Sequence, residues 1–199
     1  IAAMAECDKV CPQLHLPVQA GSTRLLAQMN RRYTKEDYLE KIFAVRAAMP
    51  DLALSTDIMV GFPGETEEDF AETLDVVRQA RFANAFTFIY SPRTGTRAAE
   101  MPDQIPAEVV KERFDRLLAT VNPLVGELHE AQVGKTVEVL VEEVGKGGLL
   151  SGRAPNNMLV HFPGDEKLIG SFVPVRITQS HGFYLTGECV EKESEKHSL

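Results

Sequence analysis

The sequence predicts an α/β fold: a parallel sheet flanked by helices, followed by a small antiparallel β-barrel of OB-like type. Three observations predict it. Strand-like and helix-like segments alternate from Pro12 to about Val121. Two helices in that part open with capping boxes, Thr34 with Asp37 and Thr66 with Asp69. From about Gln132 the pattern changes to five short β segments joined by glycine-bearing turns.

Leu14 to Gln19 reads as a short strand that ends in a polar residue and the turn Gly21-Ser22. Thr34 caps a helix with apolar positions at Tyr38, Leu39, Ile42, Phe43 and Val45, ended by Pro50. Leu52 to Val60 is a second strand, closed by Gly61-Phe62-Pro63-Gly64. Thr66 opens the next helix, with Phe70, Leu74 and Val77 on one face. Ala85 to Tyr90 is a third strand. Strands separated by such helices imply right-handed βαβ units. Ile105-Pro106 then opens a long amphipathic helix that buries Val109, Val110, Phe114, Leu117, Leu118 and Val121. Asn122-Pro123 is expected to kink or end it. The β segments of the second part are 133–143, 146–154, 158–164, 171–180 and 183–190. The expected division is therefore an α/β part over 1–131, a β part over 132–192 and a disordered charged tail over 193–199.

Composition narrows the class. With 199 residues, 44% hydrophobic and 25% charged, the chain is an ordinary globular one. It has no apolar run of membrane-spanning length. Its first residues, IAAMAECDKV, lack the basic start and apolar core of a secretory signal and read as the middle of a longer protein. Three cysteines, Cys7, Cys11 and Cys189, are too few for a disulfide framework and suit the cytoplasm. Cys189 is expected to be a small core residue. The net charge is −8, opposite to the usual footprint of a nucleic-acid-binding protein. Residues 1–130 hold 14 basic and 20 acidic side chains, and residues 131–199 hold 7 and 9. RNA affinity would have to come from a local patch and from shape.

Three polar clusters fall at the C-terminal ends of the predicted parallel strands: 19–22, the stretch from Asp57 through the Gly61 loop to Thr66, and 90–96. Ligands bind at that edge in barrels and open α/β sheets. Each loop taken singly is also what turn geometry requires. Arg31-Arg32 either clamps a carboxylate or phosphate or is a solvated pair. Cys7 and Cys11 start a C-x-x-x-C-x-x-C spacing, but Leu14 stands where the third cysteine would be. No histidine pair has ligand spacing, so no metal site is expected in this chain. In the second part Lys146, Arg153, Asn156, Asn157 and His161 lie on turns and strands, where they offer donors to phosphates and bases. The same glycines and asparagines also serve tight turns.

Five stretches occur in a set order: HLPVQAGS (15–22), LLAQMNRRYT (25–34), STDIMVGFPGETEEDF (55–70), FIYSPRTGTRAA (88–99) and GRAPNNMLVHFPG (152–164). Together they resemble the radical S-adenosylmethionine methylthiotransferases over about residues 11–190. The resemblance implies the C-terminal half of a radical-SAM partial barrel followed by a TRAM domain, an RNA-binding β module. It also implies a parent enzyme with S-adenosylmethionine and two [4Fe-4S] clusters, one in a preceding domain. The cysteine loop of the radical-generating cluster lies well upstream of HLPVQ in the family, so Cys7 and Cys11 are not its remnant. The chain alone is expected to hold no cluster and to be inactive.

By the same resemblance, Gln19 meets the ribose of S-adenosylmethionine, and Arg31 meets its carboxylate or a ribose hydroxyl. Ser22, Asp57 and Gly61 belong to the same cofactor site, and Tyr90 lies against the adenine. The implied reaction cleaves the cofactor reductively, abstracts hydrogen from adenine C2, inserts sulfur and methylates it. The loop GRAPNNMLVHFPG favours the branch acting on N6-isopentenyladenosine beside the anticodon of tRNA, with the anticodon stem-loop as partner. Other branches act on threonylcarbamoyladenosine or on an aspartate of a ribosomal protein. From the residues alone, two further readings stand: an RNA-binding module beside a vestigial α/β domain, and a non-radical enzyme using Asp57 and Arg31. A half-barrel would also expose a strand edge and an apolar face, which implies self-association.

Overall fold

The computed structural model describes residues 1–190. The predicted tail over 193–199 lies outside them. The chain divides into two compact units, Ile1–Val125 and Gly126 onward.

The first unit begins with a short helix, α1 (Ala2–Glu6), and a three-residue strand, β1 (Gln13–His15). Then come α2 (Thr23–Gln28), α3 (Lys35–Ala48), β2 (Ala53–Val60), α4 (Glu67–Ala80), β3 (Asn84–Ile89) and the long α5 (Ala107–Glu130). The three strands form one parallel sheet in the order β1-β2-β3. Both capping boxes form. The Thr34 hydroxyl accepts from the Asp37 amide and the Asp37 carboxylate accepts from the Thr34 amide. Thr66 and Asp69 do the same at α4.

Alternation along β2 buries Leu54, Ile58 and Val60 against the helices. Tyr38, Ile42 and Val45 of α3, Phe70 and Val77 of α4, and Leu117, Val121 and Val125 of α5 complete that core. The opposite sheet face carries His15, Ser55, Asp57, Phe86 and Phe88. Phe86, Phe88 and Ile89 of the edge strand β3 are each about half exposed.

The structure departs from the sequence expectations at four places in this unit. The first strand is not continuous from Leu14 to Gln19. Pro17 has no N–H, and the Val18 amide is taken by the Thr56 hydroxyl at 3.0 Å. The carbonyls of Leu16 and Val18 accept from the Tyr38 and Tyr33 hydroxyls at 2.7 and 3.0 Å. Parallel pairing resumes only at Gln19, opposite Ile58. Phe43 lies on the outer side of α3, half exposed, because Ile42 and Val45 already define the buried face. The third strand starts one residue earlier than predicted and ends before Tyr90. Finally, α5 runs through Pro123 to Glu130. Proline removes one ladder hydrogen bond, but Val121 and Val125 on either side are buried and hold the helical path.

The second unit holds β4 (Thr136–Val144), β5 (Leu150–Arg153), β6 (Leu159–Phe162), β7 (Phe172–Ser180) and β8 (Leu185–Cys189). They close into a barrel in the order β4-β5-β6-β8-β7. Its interior is Val139, Val141, Leu150, Val160, Phe162, Val175, Ile177 and Leu185. Four seams are antiparallel, as predicted; the fifth, β6 against β8, is parallel. Closure requires it, because β8 lies between β7 and β6 and runs opposite to β7. Cys189 is exposed at the end of β8, outside the core. Cys7 and Cys11 are also exposed, free thiols.

Gly21 fixes how closely the first loop approaches α4. A Cβ there would lie 2.4 Å from the Thr73 Cα and 2.5 Å from the Glu72 carbonyl oxygen. The Gly21 amide donates to the Thr73 hydroxyl at 2.9 Å. Gly21→Ala is therefore expected to lose about 1–3 kcal/mol, seen as a lower urea midpoint with an unchanged slope. An unchanged midpoint would mean that the loop and helix are not in this contact.

Candidate functional site

The site is built where the chain leaves β2 and where it leaves the Gln19 bridge. Gln19 has φ +69°, a left-handed conformation that a non-glycine residue adopts at a cost. It is held there from both sides: its amide donates to the Asp57 carbonyl at 2.9 Å, and its carbonyl accepts from the Met59 amide at 2.8 Å. Its side chain lines a crevice of about 460 Å³ together with Gln28, Asn30, Arg31, Phe62 and Arg97. Met29, Met59 and Ala98 supply apolar wall. Arg31 lines this crevice; Arg32 is not among its lining residues. The donor set is two guanidiniums and three carboxamides against an apolar floor. It fits a small molecule that carries a carboxylate, hydroxyls and a flat ring.

A second crevice, of about 300 Å³, is lined by Gly61, Tyr90, Pro92, Gln104 and Val110. Phe62 connects the two loops, since its ring meets that of Tyr90 edge-on with centroids 5.4 Å apart. The Tyr90 hydroxyl is buried and has no hydrogen-bond partner among the described residues. Such a group is suited to a ligand that enters beside it.

The Gly61 loop is held by a buried ion pair. Glu65 accepts from the Gly61 amide at 2.9 Å and from the Arg113 guanidinium at 3.0 Å. Burial pushes the Glu65 carboxyl up, and the Gly61 amide and Arg113 oppose that shift. Gly61 has φ +79°, and a Cβ there would lie 2.7 Å from a Val110 methyl.

The sequence-predicted cofactor residues do not all meet. Gln19 and Arg31 share the first crevice, and Gly61 and Tyr90 share the second. Ser22 is buried and committed elsewhere: it caps α2 and donates to the Asp69 carboxylate at 2.5 Å. Asp57 lies on the open sheet face, 3.6 Å from the His15 ring, whose Nδ1 is 3.0 Å from the Ser55 hydroxyl. The sequence reading does not name Gln28, Arg97 or Phe62 as site residues. The first two lie within the quoted motifs LLAQMNRRYT and FIYSPRTGTRAA, but nothing in their spacing marks them.

In the barrel, Arg153 is exposed and braces a turn, donating to the Asn157 carbonyl at 3.1 Å and pairing with Glu142 at 3.7 Å. Asn157 has φ +64°, and Asn156 accepts from the Met158 amide at 3.3 Å. His161 is half-buried, edge-on to Tyr184. Lys146 sits in the turn between β4 and β5. Among the described residues no group of three or more His, Cys, Asp or Glu side chains is placed to hold a metal ion. No helix of the described residues is long and apolar enough to cross a membrane.

Asp69 ties these loops together. Its carboxylate accepts from Ser22, from the Thr66 amide and hydroxyl at 2.8 and 3.0 Å, and from Arg24. Arg24 also donates to the Gly64 carbonyl. Burial alone would raise the Asp69 carboxyl. The bonds from Arg24, Ser22 and Thr66 outweigh it and hold the carboxyl down to about 2. A folded-state value below the unfolded one adds stability that is complete above the ordinary aspartate range. That stability is lost as pH falls from about 4 towards 2. The expected contribution is about 2 kcal/mol at neutral pH. Urea unfolding of Asp69→Asn should show that loss at pH 7 and much less at pH 2; equal losses at both would contradict it.

Comparison with known proteins places the two units separately. Residues 1–77 match the Radical SAM superfamily and residues 130–190 match the TRAM domain. A tRNA-2-methylthio-N(6)-dimethylallyladenosine synthase of Lachnoclostridium phytofermentans is 53% identical over 193 residues, 96% of this chain and 42% of that protein. The synthase of the same name from Acidothermus cellulolyticus is 58% identical over 186 residues, 90% of this chain and 37% of that protein. Among solved structures, the radical SAM enzyme coproporphyrinogen III oxidase of Escherichia coli aligns with a TM-score of 0.48 and 19% identity. That alignment covers 57% of this chain and 27% of that one. The chain spans about two-fifths of the length of the curated relatives it matches.

Proposed function

The chain belongs to the radical-SAM, TRAM-bearing methylthiotransferases, and on that premise we propose that it is part of an enzyme adding a methylthio group to N6-isopentenyladenosine in tRNA. Its place of work is the cytoplasm, and its RNA partner is the anticodon stem-loop. The observation that carries the cofactor half of this reading is the strained Gln19, held beside Arg31 and Arg97 at one crevice. Backbone strain retained at a loop end is a feature of ligand sites.

Each residue has a task in binding. Gln19 offers its carboxamide to the ribose hydroxyls of S-adenosylmethionine. Arg31 and Arg97 hold its carboxylate. Gly61 and Tyr90 shape the second crevice for the adenine, with the free Tyr90 hydroxyl as a donor. Ser22 and Asp69 position the loop instead of touching the ligand, and Asp57 faces His15. When bound, S-adenosylmethionine supplies the hydrogen-abstracting group and the methyl. The barrel, through Lys146, Arg153, Asn156, Asn157 and His161, holds the RNA.

Calorimetric titration tests both halves. The chain is expected to bind S-adenosylmethionine, and Arg31→Ala should weaken it about tenfold, the loss of one charge-assisted contact. It is expected to bind an anticodon stem-loop carrying isopentenyladenosine independently of Arg31. Absence of stem-loop binding would remove the RNA half, and an unchanged Arg31→Ala affinity would remove this cofactor assignment. Light scattering tests a further expectation. The half-exposed Phe86, Phe88 and Ile89 on an unpaired strand edge should cause self-association, and a monodisperse monomer would refute it.

A further inference from the structure

In the barrel, β6 and β8 run side by side, with Val160 opposite Leu185 and His161 opposite Thr186. Val160, Phe162 and Leu185 point inward and are buried. Alternation therefore sends His161, Tyr184 and Thr186 to the outer face. The turn from β7 into β8 adds His181 to the same patch, closed by its amide donating to the Tyr184 carbonyl at 2.9 Å.

Three rings meet there. His181 lies flat on Tyr184, with centroids 4.6 Å apart and planes 12° apart. His161 meets Tyr184 edge-on at 5.2 Å. The His181 ring is further fixed by its Nε2, 3.2 Å from the Thr186 hydroxyl. His181 is exposed, Tyr184 is 37% exposed and the adjoining Phe183 is 57% exposed. The glycine-rich turn holding Lys146 passes beside His161: a Cβ on Gly145 would lie 3.5 Å from the His161 Nδ1. Gly147 and Gly148 have open space at their Cβ positions, so their backbone is accessible.

We propose that the His181–Tyr184–His161 cluster is a stacking platform for an unpaired nucleobase of RNA. It rests on the reading of the barrel as an RNA-binding module and adds where, and by what force, the RNA is gripped. One face of His181 is covered by Tyr184, and the outward face is a flat, pre-ordered ring. Ordering beforehand matters, because it removes the entropy cost of assembling the stack on binding. Two of the three rings are imidazoles with polar edges, which suits a heterocycle with hydrogen-bonding edges better than an aliphatic protein surface. Stacking does not depend on net positive charge. It therefore gives a barrel whose residues 131–199 hold 7 basic and 9 acidic side chains a means of holding RNA.

The test is fluorescence anisotropy of the full chain with a labelled anticodon stem-loop. A companion set of the same RNA has each loop nucleotide made abasic in turn. Tyr184→Ala and His181→Ala are expected to weaken binding about tenfold, and Tyr184→Phe to bind as the parent does. One abasic position should weaken the parent equally and have little further effect on Tyr184→Ala. His181→Ala alters an exposed ring outside the barrel interior, which keeps the test independent of folding. If the parent binds RNA and both alanine variants bind as tightly, the platform is overturned while the RNA-binding reading stands. A parent chain that binds no RNA overturns both. Loss in the variants without any abasic effect also overturns the platform, and assigns the rings to packing of the β7–β8 turn.

Discussion

Asp69 is a carboxylate inside the protein that accepts hydrogen bonds from Ser22, Arg24 and Thr66. Thr66 is local, the cap of its own helix. Ser22 and Arg24 arrive from the loop and helix that follow the first strand. The same side chain therefore starts α4, secures the N-cap of α2 and, through Arg24, reaches the carbonyl of Gly64. A buried carboxylate is costly unless its oxygens are satisfied, and here several donors converge on it. Once this junction is set, the 19–22 loop has little freedom: Gly21 presses on Thr73 and Gln19 is bridged to β2 on both its polar groups.

The crevices inherit their shape from that junction and from a second one. Glu65 and Arg113 hold the Gly61 loop between β2 and α5, again with a buried charge pair in place of apolar packing. The crevice-lining residues Gln19, Arg31 and Tyr90 come from loops and Arg97 from a 3-10 turn, while the groups that anchor the 19–22 and Gly61 loops are buried behind them. The order is physically economical. Binding side chains need exposure, and loops need rigidity to present them in one arrangement.

The barrel solves a different problem with different means. Its five strands close completely, so none leaves a free edge, in contrast to the open β1 and β3 of the parallel sheet. Closure forces β6 and β8 to run parallel. That pairing sets His161 beside Thr186 and brings Tyr184 and the β7–β8 turn to one patch. The meeting of His161 with Tyr184 is thus a consequence of barrel topology, whereas His181 and Tyr184 share one turn.

The sequence by itself determined what depends on a few neighbouring residues. Thr34 with Asp37 and Thr66 with Asp69 start their helices through bonds spanning three positions, and the alternation in 53–60 and 172–180 places the strands. The motif order pointed to a radical-SAM segment and a TRAM domain, which the comparisons match. Tertiary structure decided the rest, because the deciding side-chain contacts join segments 38 or more residues apart. Thr56 takes the Val18 amide and cuts the first strand short; Asp69 engages Ser22; His15 approaches Asp57; burial of Val121 and Val125 carries α5 past Pro123. Cys189 and Phe43 look like core residues by type alone, and both face solvent because other side chains already fill the interior behind them. A side chain's local pattern fixes its element, whereas its partner depends on which distant segment the folded chain brings against it.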